Sequence, residues 1–202
     1  WRRKQWKLVI LNDMKNILSL IMLLYCACTF SQSANYEQEL KDADAFVAAD
    51  PSASSFYHRG YLEFRNNDFQ KAMADFNKAI ALDPESFESY YSRGNLKEKL
   101  EDFKGAIEDF SKCIGFNDES SKSYFSRGYV KSITGDLVGA IEDYSTCIRL
   151  NPKHKGAFLN RGISRKNQNQ FREAILDYDE AIAIDPNFSD AYQNRAIAKA
   201  LI

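Results

Sequence analysis

The sequence predicts an all-α protein, a right-handed α-solenoid built from stacked antiparallel helix pairs. One observation is a dipeptide that returns every 34 residues, as Arg59-Gly60, Arg93-Gly94, Arg127-Gly128 and Arg161-Gly162. A second is the scarcity of Pro and Gly, 4 and 9 in 202 residues, which disfavours long loops and an all-β fold. A fixed period of this length is typical of helix pairs that stack, because one pair cannot bury its own apolar face.

The composition is that of a folded protein and excludes a basic nucleic-acid-binding surface. Hydrophobic residues make up 45% and charged residues 27% of the chain, and the net charge is −1. The first 31 residues carry five basic groups and one acid, so the remainder has 22 Lys and Arg against 27 Asp and Glu. This mildly acidic remainder has no charge pattern that would attract polyphosphate.

Residues 1–33 are predicted to comprise upstream residues and a secretory signal peptide. After Met14, a basic residue, an apolar run over residues 17–30 and the small residues Ser31 and Ser33 follow in the order of such a signal. The run is shorter than the ~20 residues that a membrane span needs. We therefore expect export, to a bacterial periplasm or outside the cell, with anchoring in the membrane by the uncleaved segment as the alternative.

Lipidation of a cysteine is a further alternative for this segment, because Cys26 and Cys28 lie near the end of the apolar run. Neither fits the bacterial lipobox well, since Tyr25 directly precedes Cys26 and stands where Cys28 would need a Leu. The membrane is expected as a partner only through this N-terminal segment.

Residues 34–52 are predicted to form a capping helix, because their pattern is helical but does not fit the period. The repeat array then occupies residues 53–202, with four full units and a partial fifth: 53–86, 87–120, 121–154, 155–188 and 189–202. Because the sequence stops inside the first helix of the fifth unit, we expect a fragment or an array that continues.

Each unit is predicted to be two amphipathic helices joined by a tight turn. In the first unit the helices cover residues 53–66 and 69–82, with the turn between them. Gly60 is expected to let the first helix press against Ala72 of the second, because neither side chain keeps the backbones apart.

Further positions recur when the units are counted from Ala53, Phe87, Ser121 and Lys155 as position 1. Position 20 is Ala, position 23 Asp, position 24 Phe or Tyr, and position 28 Ile. With the aromatic residue at position 4 and the Pro near the end of most units, this pattern resembles the tetratricopeptide repeat family. The resemblance covers residues 53–202 and implies a superhelix whose first helices line the inner side. The chain departs from the family in having Arg before the Gly and a charge at position 11: Glu63, Lys97, Lys131 and Arg165.

An Arg at position 7 and an Asp at position 23 accompany each other in every full unit. We expect structural ion pairs of Arg59 with Asp75, Arg93 with Asp109, Arg127 with Asp143, and Arg161 with Asp177. A buried charge without a partner would be very costly, and the numbers of Arg and Asp match. The other interpretation is a basic ladder that binds acidic partners.

The resemblance implies a partner-binding groove along positions 2, 5, 9 and 12 of the first helices, which share one helical face. The candidate partner-binding residues on this stripe are Tyr57, Tyr61, Phe64, Tyr91, Asn95, Phe125, Tyr129 and Ile163. A concave, partly aromatic surface suits an extended peptide or a partner helix. The aromatic residues at position 5 have packing between units as an alternative role, so position 9 is the better candidate for ligand contact.

A clamp for the acidic C-termini of chaperones, which similar repeats form with a Lys at position 5, is not expected because no unit has that Lys. No catalytic, metal or cofactor site is predicted either, since His58 and His154 are isolated and no Gly-rich phosphate loop or nucleophile elbow occurs. Cys113 and Cys147 are expected to be small buried side chains, too far apart for a disulfide.

The predicted function is a non-enzymatic protein–protein interaction scaffold that binds a peptide or a partner helix in its concave groove. Protein or peptide partners are expected, without nucleic acid or a small-molecule substrate. One alternative is a docking or sensory segment of a larger enzyme or signalling protein that continues past residue 202. Another is self-association through exposed unit ends.

Overall fold

The computed structural model describes residues 35–202. The predicted signal segment over residues 1–33, with Cys26 and Cys28, lies outside the described residues. Ten helices occur within residues 35–202: α1 (35–49), α2 (Ala53–Arg65), α3 (Phe69–Leu82), α4 (Phe87–Lys99), α5 (Phe103–Phe116), α6 (Ser121–Ile133), α7 (Leu137–Leu150), α8 (Lys155–Asn167), α9 (Phe171–Ile184) and α10 (Ser189–Lys199).

The helices pair and stack in chain order. Each first helix packs against the second helix of its own unit, as α2 does with α3, and each second helix packs against the next first helix. No strand is present in the described part of the chain. The structure therefore confirms the prediction of an all-α solenoid of stacked helix pairs.

The stack has a defined inner side. Along residues 53–202, successive first helices (α2, α4, α6, α8, α10) contact one another, whereas the second helices (α3, α5, α7, α9) do not. Because the first helices approach each other more closely, they lie on the inside of the curve. The residues of the first helices that face away from the second helices therefore line a concave surface.

Side chains that accept hydrogen bonds begin five of these helices, α2, α4, α5, α7 and α8. Ser86 Oγ accepts from the backbone N–H of Ser89 at 3.3 Å, and Asp102 and Asp136 each accept from a glycine N–H three residues later at 3.0 Å. Such caps satisfy backbone donors that have no partner within the helix. His154 does the same for α8, since its Nδ1 accepts from the N–H of Ala157 at 3.1 Å.

The turns inside the units share one left-handed residue. Asn67, Glu101, Gly135 and Asn169 all have φ between 61° and 89°. Asn and Gly adopt this conformation readily, whereas Glu does so at a cost. The turn geometry is thus common to the four units although its sequence is not.

The glycine at position 8 lies close to two further residues of the second helix. A Cβ placed on Gly60 would meet Asp75 Cβ at 3.0 Å and the Phe76 ring at 3.2 Å. In the fourth unit a Cβ on Gly162 would come within 2.5 Å of Tyr178 Cε1. The glycine makes room for the aromatic ring at position 24, because that ring points from the second helix directly at the first.

The interior consists of small and aromatic residues in layers. Ala72, Phe76 and Ala79 of α3 have no exposed surface, and the corresponding residues of α5, α7 and α9 are buried in the same way. The helix α1 contributes one half-buried stripe, which contains Tyr36, Leu40 and Val47. Within residues 35–202 no helix is both long and apolar enough to cross a membrane.

Candidate binding groove

The Arg at position 7 and the Asp at position 23 lie in direct contact in each full unit. In the third unit Arg127 donates from Nε to Asp143 Oδ2 at 2.9 Å and from Nη2 to Asp143 Oδ1 at 2.7 Å. Arg59 with Asp75, Arg93 with Asp109 and Arg161 with Asp177 make the same two-pronged contact. The four carboxylates are buried, so the guanidinium groups balance their charge where water cannot.

The remaining nitrogen of each guanidinium group reaches the preceding unit. Nη1 of Arg127 donates to Ser111 Oγ at 3.0 Å, and Arg161 bonds to Ser145 in the same way. Arg93 uses Asn77 at the same position 25, while Arg59 uses Asp44 on α1. Each Arg therefore joins two consecutive layers of the stack. For Arg59 the acceptor lies on α1, whereas in the other units it lies on the preceding second helix.

Position 11 adds a second cation to the Asp in three of the four units. Lys97 Nζ lies 2.9 Å from Asp109, Lys131 Nζ lies 2.9 Å from Asp143, and Arg165 Nη1 lies 2.8 Å from Asp177. The sequence showed these charges as departures from the family pattern without indicating their partner. The first unit has Glu63 at this position.

The position 5 residues of the first three units pack inward. The rings of Tyr57, Tyr91 and Phe125 are half-buried, and each lies 5.6–6.2 Å from the aromatic ring at position 24 of its unit. Tyr91 also shares a hydrogen bond of 3.1 Å with Ser126 of the next unit. These rings form much of the floor beneath the concave surface.

The position 9 residues are more accessible, except in the fourth unit. Tyr61 and Tyr129 are 43% and 40% exposed, and the Tyr61 ring stacks on Tyr57 with a centroid distance of 6.2 Å. Asn95 is half-buried, and Ile163 packs against the apolar core of the fourth unit. Phe64, at position 12, packs 6.1 Å from Phe69, so its ring belongs to the interior of the first unit.

Three of the predicted groove residues come together in one cavity. Asn95, Phe125 and Tyr129, from α4 and α6, line a cavity of about 260 Å³. The other lining residues are Glu98, Phe110, Ser126, Val130 and Asn160. Ser126 and Asn160 lie outside the predicted stripe because they occupy position 6 of their units. Their polarity next to a large apolar residue at position 5 is the signal that could have identified them.

A second cavity lies at the N-terminal end of the concave side. Tyr57 lines it together with Ser54, His58, Ser86 and others, and it has a volume of about 370 Å³. Between the two cavities Lys122 Nζ lies 4.6 Å from the ring centroid of Tyr91 and 4.7 Å from that of Phe87. This cation–π contact covers part of the aromatic floor.

Other chemistry is limited in the described part of the chain. Residues 35–202 contain no group of three or more His, Cys, Asp or Glu side chains placed to hold a metal ion. Cys113 and Cys147 are free and buried, and burial raises the pKa of the Cys113 thiol to about 12. A thiol with so high a pKa is a poor nucleophile at neutral pH.

Stacked helix pairs with a groove along their first helices define a helical-repeat protein. Sequence models of the tetratricopeptide repeat match residues 60–101, 87–119, 121–154 and 157–188, which together are more than half of the chain. The chain belongs to the tetratricopeptide repeat family. A search of curated proteins gives no significant match to this sequence.

Solved structures of tetratricopeptide repeat proteins share this fold. YrrB, described as having an unusual peptide-binding site, is 23% identical with a TM-score of 0.72, over 82% of this chain and 86% of its own. MamA is also 23% identical, with a TM-score of 0.71 over 74% and 81%. The first repeat domain of Spaghetti (RPAP3), bound to the HSP90 peptide SRMEEVD, is 20% identical with a TM-score of 0.54 over 55% and 88%. At these identities the likeness establishes the fold alone, and the family is one of protein-interaction scaffolds.

Proposed function

We propose that this protein is a non-enzymatic scaffold that binds an extended peptide of a partner protein along the concave side of α4, α6 and α8. The observation that carries the proposal is the cavity where Asn95, Phe125 and Tyr129 converge. Its floor is apolar, since Val130 and Phe110 are almost fully buried, and its rim carries amide and hydroxyl groups. Recognition sites commonly combine an apolar pocket with a few polar groups that fix orientation.

The size of the cavity favours a peptide side chain over a whole helix. A volume of about 260 Å³ accepts a side chain, whereas a helix is roughly 10 Å across with its side chains. Asn95 and Asn160 stand on two different first helices and can both donate to and accept from a peptide backbone. A peptide with an apolar anchor and an extended backbone would therefore use both kinds of group.

The charge around the cavity disfavours an acidic peptide. Glu98 is the charged residue in the lining, and Tyr91 and Phe125 occupy the positions where the acidic-terminus clamp of similar repeats has a Lys. The Spaghetti domain binds a peptide rich in Glu and Asp. This protein is accordingly proposed to select neutral or basic peptides, because Glu98 would repel a nearby carboxylate.

A comparison of two single substitutions tests the proposal. Partners captured by the wild-type protein should be lost with Tyr129→Ala, because the substitution removes one wall of the cavity. Val138→Ala is the matched control, since Val138 is 62% exposed on a second helix, away from the concave side. Equal capture by the wild type and Tyr129→Ala, with both proteins folded, would refute the proposed site.

We also propose that the protein acts after export, on the evidence of the apolar run over residues 17–30. Cell fractionation and N-terminal sequencing of the purified protein test this. A mature start at Gln32 or Ala34 supports a cleaved signal peptide. An intact N-terminus in the cytoplasmic fraction would contradict export.

A further inference from the structure

The first unit breaks the charge pattern of the other three. Asp109, Asp143 and Asp177 are each contacted by two cations, one from position 7 and one from position 11. In the first unit Asp75 has Arg59 at position 7 but Glu63 at position 11. A second carboxylate thus stands where the other units have an ammonium or guanidinium group.

Glu63 is buried, and one of its carboxylate oxygens has no donor among residues 35–202. The exposed fraction of Glu63 is 4%, and within this part of the chain Oε2 accepts no hydrogen bond. A buried carboxylate without a hydrogen bond is costly, because it has lost its hydration and received nothing in return. A positively charged hydrogen-bond donor next to Glu63 would therefore be favourable.

A cavity gives such a donor access to Glu63. It has a volume of about 340 Å³ and lies where α1, α2 and α3 meet. Its lining combines the carboxylates of Asp44, Glu63 and Asp75 with Arg59, Lys71, Lys78, Leu40 and Ala74. It is separate from the groove residues on α4, α6 and α8.

The cations already in the lining are committed to other partners. Arg59 makes its hydrogen bonds with Asp75 and Asp44. Lys71 Nζ lies 2.7 Å from Asp68, and Lys78 Nζ lies 5.0 Å from the centre of the Phe56 ring. Three carboxylates and three cations therefore line the cavity, and each cation already contacts a partner other than Glu63.

We propose that this cavity binds a primary ammonium group, which pairs with Glu63 and Asp75 as Lys97 and Lys131 pair with their Asp in the next two units. An ammonium group has three donors on one atom, which suits two carboxylates that converge from α2 and α3. A metal ion fits less well, since the described residues contain no cluster of ligands placed to hold one.

The proton competes for the same site. Burial, together with the charge of Asp75, raises the pKa of Glu63 to about 7, while Arg59 and Lys71 act in the opposite direction and Asp68 in the same one. Tyr36 and Asp44 on α1 and Lys78 on α3 complete the titratable groups around the cavity. Ammonium binding must therefore displace a proton and weaken as the pH falls from 8 to 5.5.

Thermal unfolding of the full chain with methylammonium chloride tests the site, with sodium chloride used to hold the ionic strength constant. At pH 8 and a concentration about ten times Kd, the unfolding midpoint should rise by about 3–6 °C. The rise should shrink at pH 5.5 and disappear in Glu63→Gln. Tetramethylammonium, which has the charge but no N–H donor, is the ligand control, and Glu108→Gln on the exposed side of α5 is the protein control.

The same assay distinguishes a free amine from a partner's lysine. Nα-acetyl-lysine-amide keeps a free Nε ammonium group. If it raises the unfolding midpoint at a lower concentration than methylammonium does, the ligand is a lysine side chain of a protein partner. If both raise the midpoint at the same concentration, the ligand is a free amine. The Nε-acetylated form of that probe should have no effect. The proposal is overturned if methylammonium does not shift the wild type, if Glu63→Gln responds equally, or if tetramethylammonium works as well.

Glu63→Lys offers an independent check. The substitution places an ammonium group at position 11, as in the next two units, and should raise the midpoint while removing the response to methylammonium. A Glu63→Lys protein that still responds like the wild type would place the ligand elsewhere. If Glu63→Lys does not fold, the response of Glu63→Gln to methylammonium, compared with that of the wild type, still tests the proposal.

Discussion

Arg127 and Asp143 are joined by two parallel hydrogen bonds of 2.9 and 2.7 Å, and the third guanidinium nitrogen extends to Ser111 in the preceding unit. Asp143 is 3% exposed, so its charge depends on these donors and on Lys131 for compensation. A single side chain therefore links the two helices of one unit and the layer before it. We propose that the role of this Arg, and of its counterparts in the other units, is structural.

The first prediction follows from this contact. Arg127→Ala should lower the free energy of unfolding by about 2–4 kcal/mol, because it removes one partner of a buried ion pair and leaves Asp143 with Lys131 alone. Chemical denaturation measures the change. Arg149→Ala, at an exposed site on α7, should alter stability by less than about 0.5 kcal/mol. A binding defect in Arg127→Ala at unchanged stability would instead assign this Arg to the ligand.

The second prediction concerns the close approach of the glycine at position 8 to an aromatic ring. Gly162→Ala should destabilise the protein by about 1–3 kcal/mol, because the new methyl group would overlap the Tyr178 ring. Gly115→Ala on α5 is the control, since a Cβ there meets nothing within 4 Å and Ala favours the helix. Thermal unfolding of both variants suffices, and equal midpoints would show that the ring can move aside.

The third prediction concerns backbone conformation in the second unit. Glu101 has a φ of 62°, a value that costs an L-residue roughly 1 kcal/mol. Glu101→Gly should therefore stabilise the protein by about 0.5–1 kcal/mol, and Gly135 shows that the same turn accepts glycine. Glu108→Gly, in the middle of α5, should have the opposite sign because glycine weakens a helix interior. The denaturant midpoints of the two variants show whether each substitution stabilises or destabilises the protein.

The fourth prediction is a pH dependence that originates at Glu63. Its pKa is about 7 in the folded protein against an ordinary 4.5, so between these values the folded state binds more protons than the unfolded state. Stability should therefore fall as the pH rises from 5 to 8, by an amount on the order of 2 kcal/mol. Glu63→Gln should remove this contribution and be more stable than the wild type at pH 8.

The control for this pH dependence is Glu142→Gln, at an exposed position of α7, which should keep the wild-type profile. Denaturant unfolding at half-unit pH intervals, without added amine, provides the comparison. If Glu63→Gln loses stability with pH as steeply as the wild type does, another group is responsible.

The fifth prediction concerns the buried thiols. Cys113 and Cys147 should react with iodoacetamide far more slowly in the native protein than in denaturant, because burial both shields them and raises the pKa of each thiol, to about 12 and about 11. Peptide mapping by mass spectrometry separates these two from Cys26 and Cys28. Rapid native labelling of Cys113 would indicate frequent opening of the second unit.

The sequence by itself determined the period, the number of full units and the class of fold, since helical patterns and their 34-residue spacing are local properties of the chain. It also indicated that Arg and Asp recur together at positions 7 and 23 of each full unit. The candidate groove was predicted in outline, because one helical stripe can be read from residue spacing.

Only the tertiary structure decided which members of that stripe converge. Asn95, Phe125 and Tyr129 meet with Asn160 because the first helices of consecutive units contact one another, and no periodicity within one helix encodes that contact. The same holds for the Arg contacts to the preceding layer and for the close approach of the Phe76 ring to Gly60. Glu63 lines one cavity with Leu40 and Asp44 of α1, so its surroundings are visible only when the helices are packed.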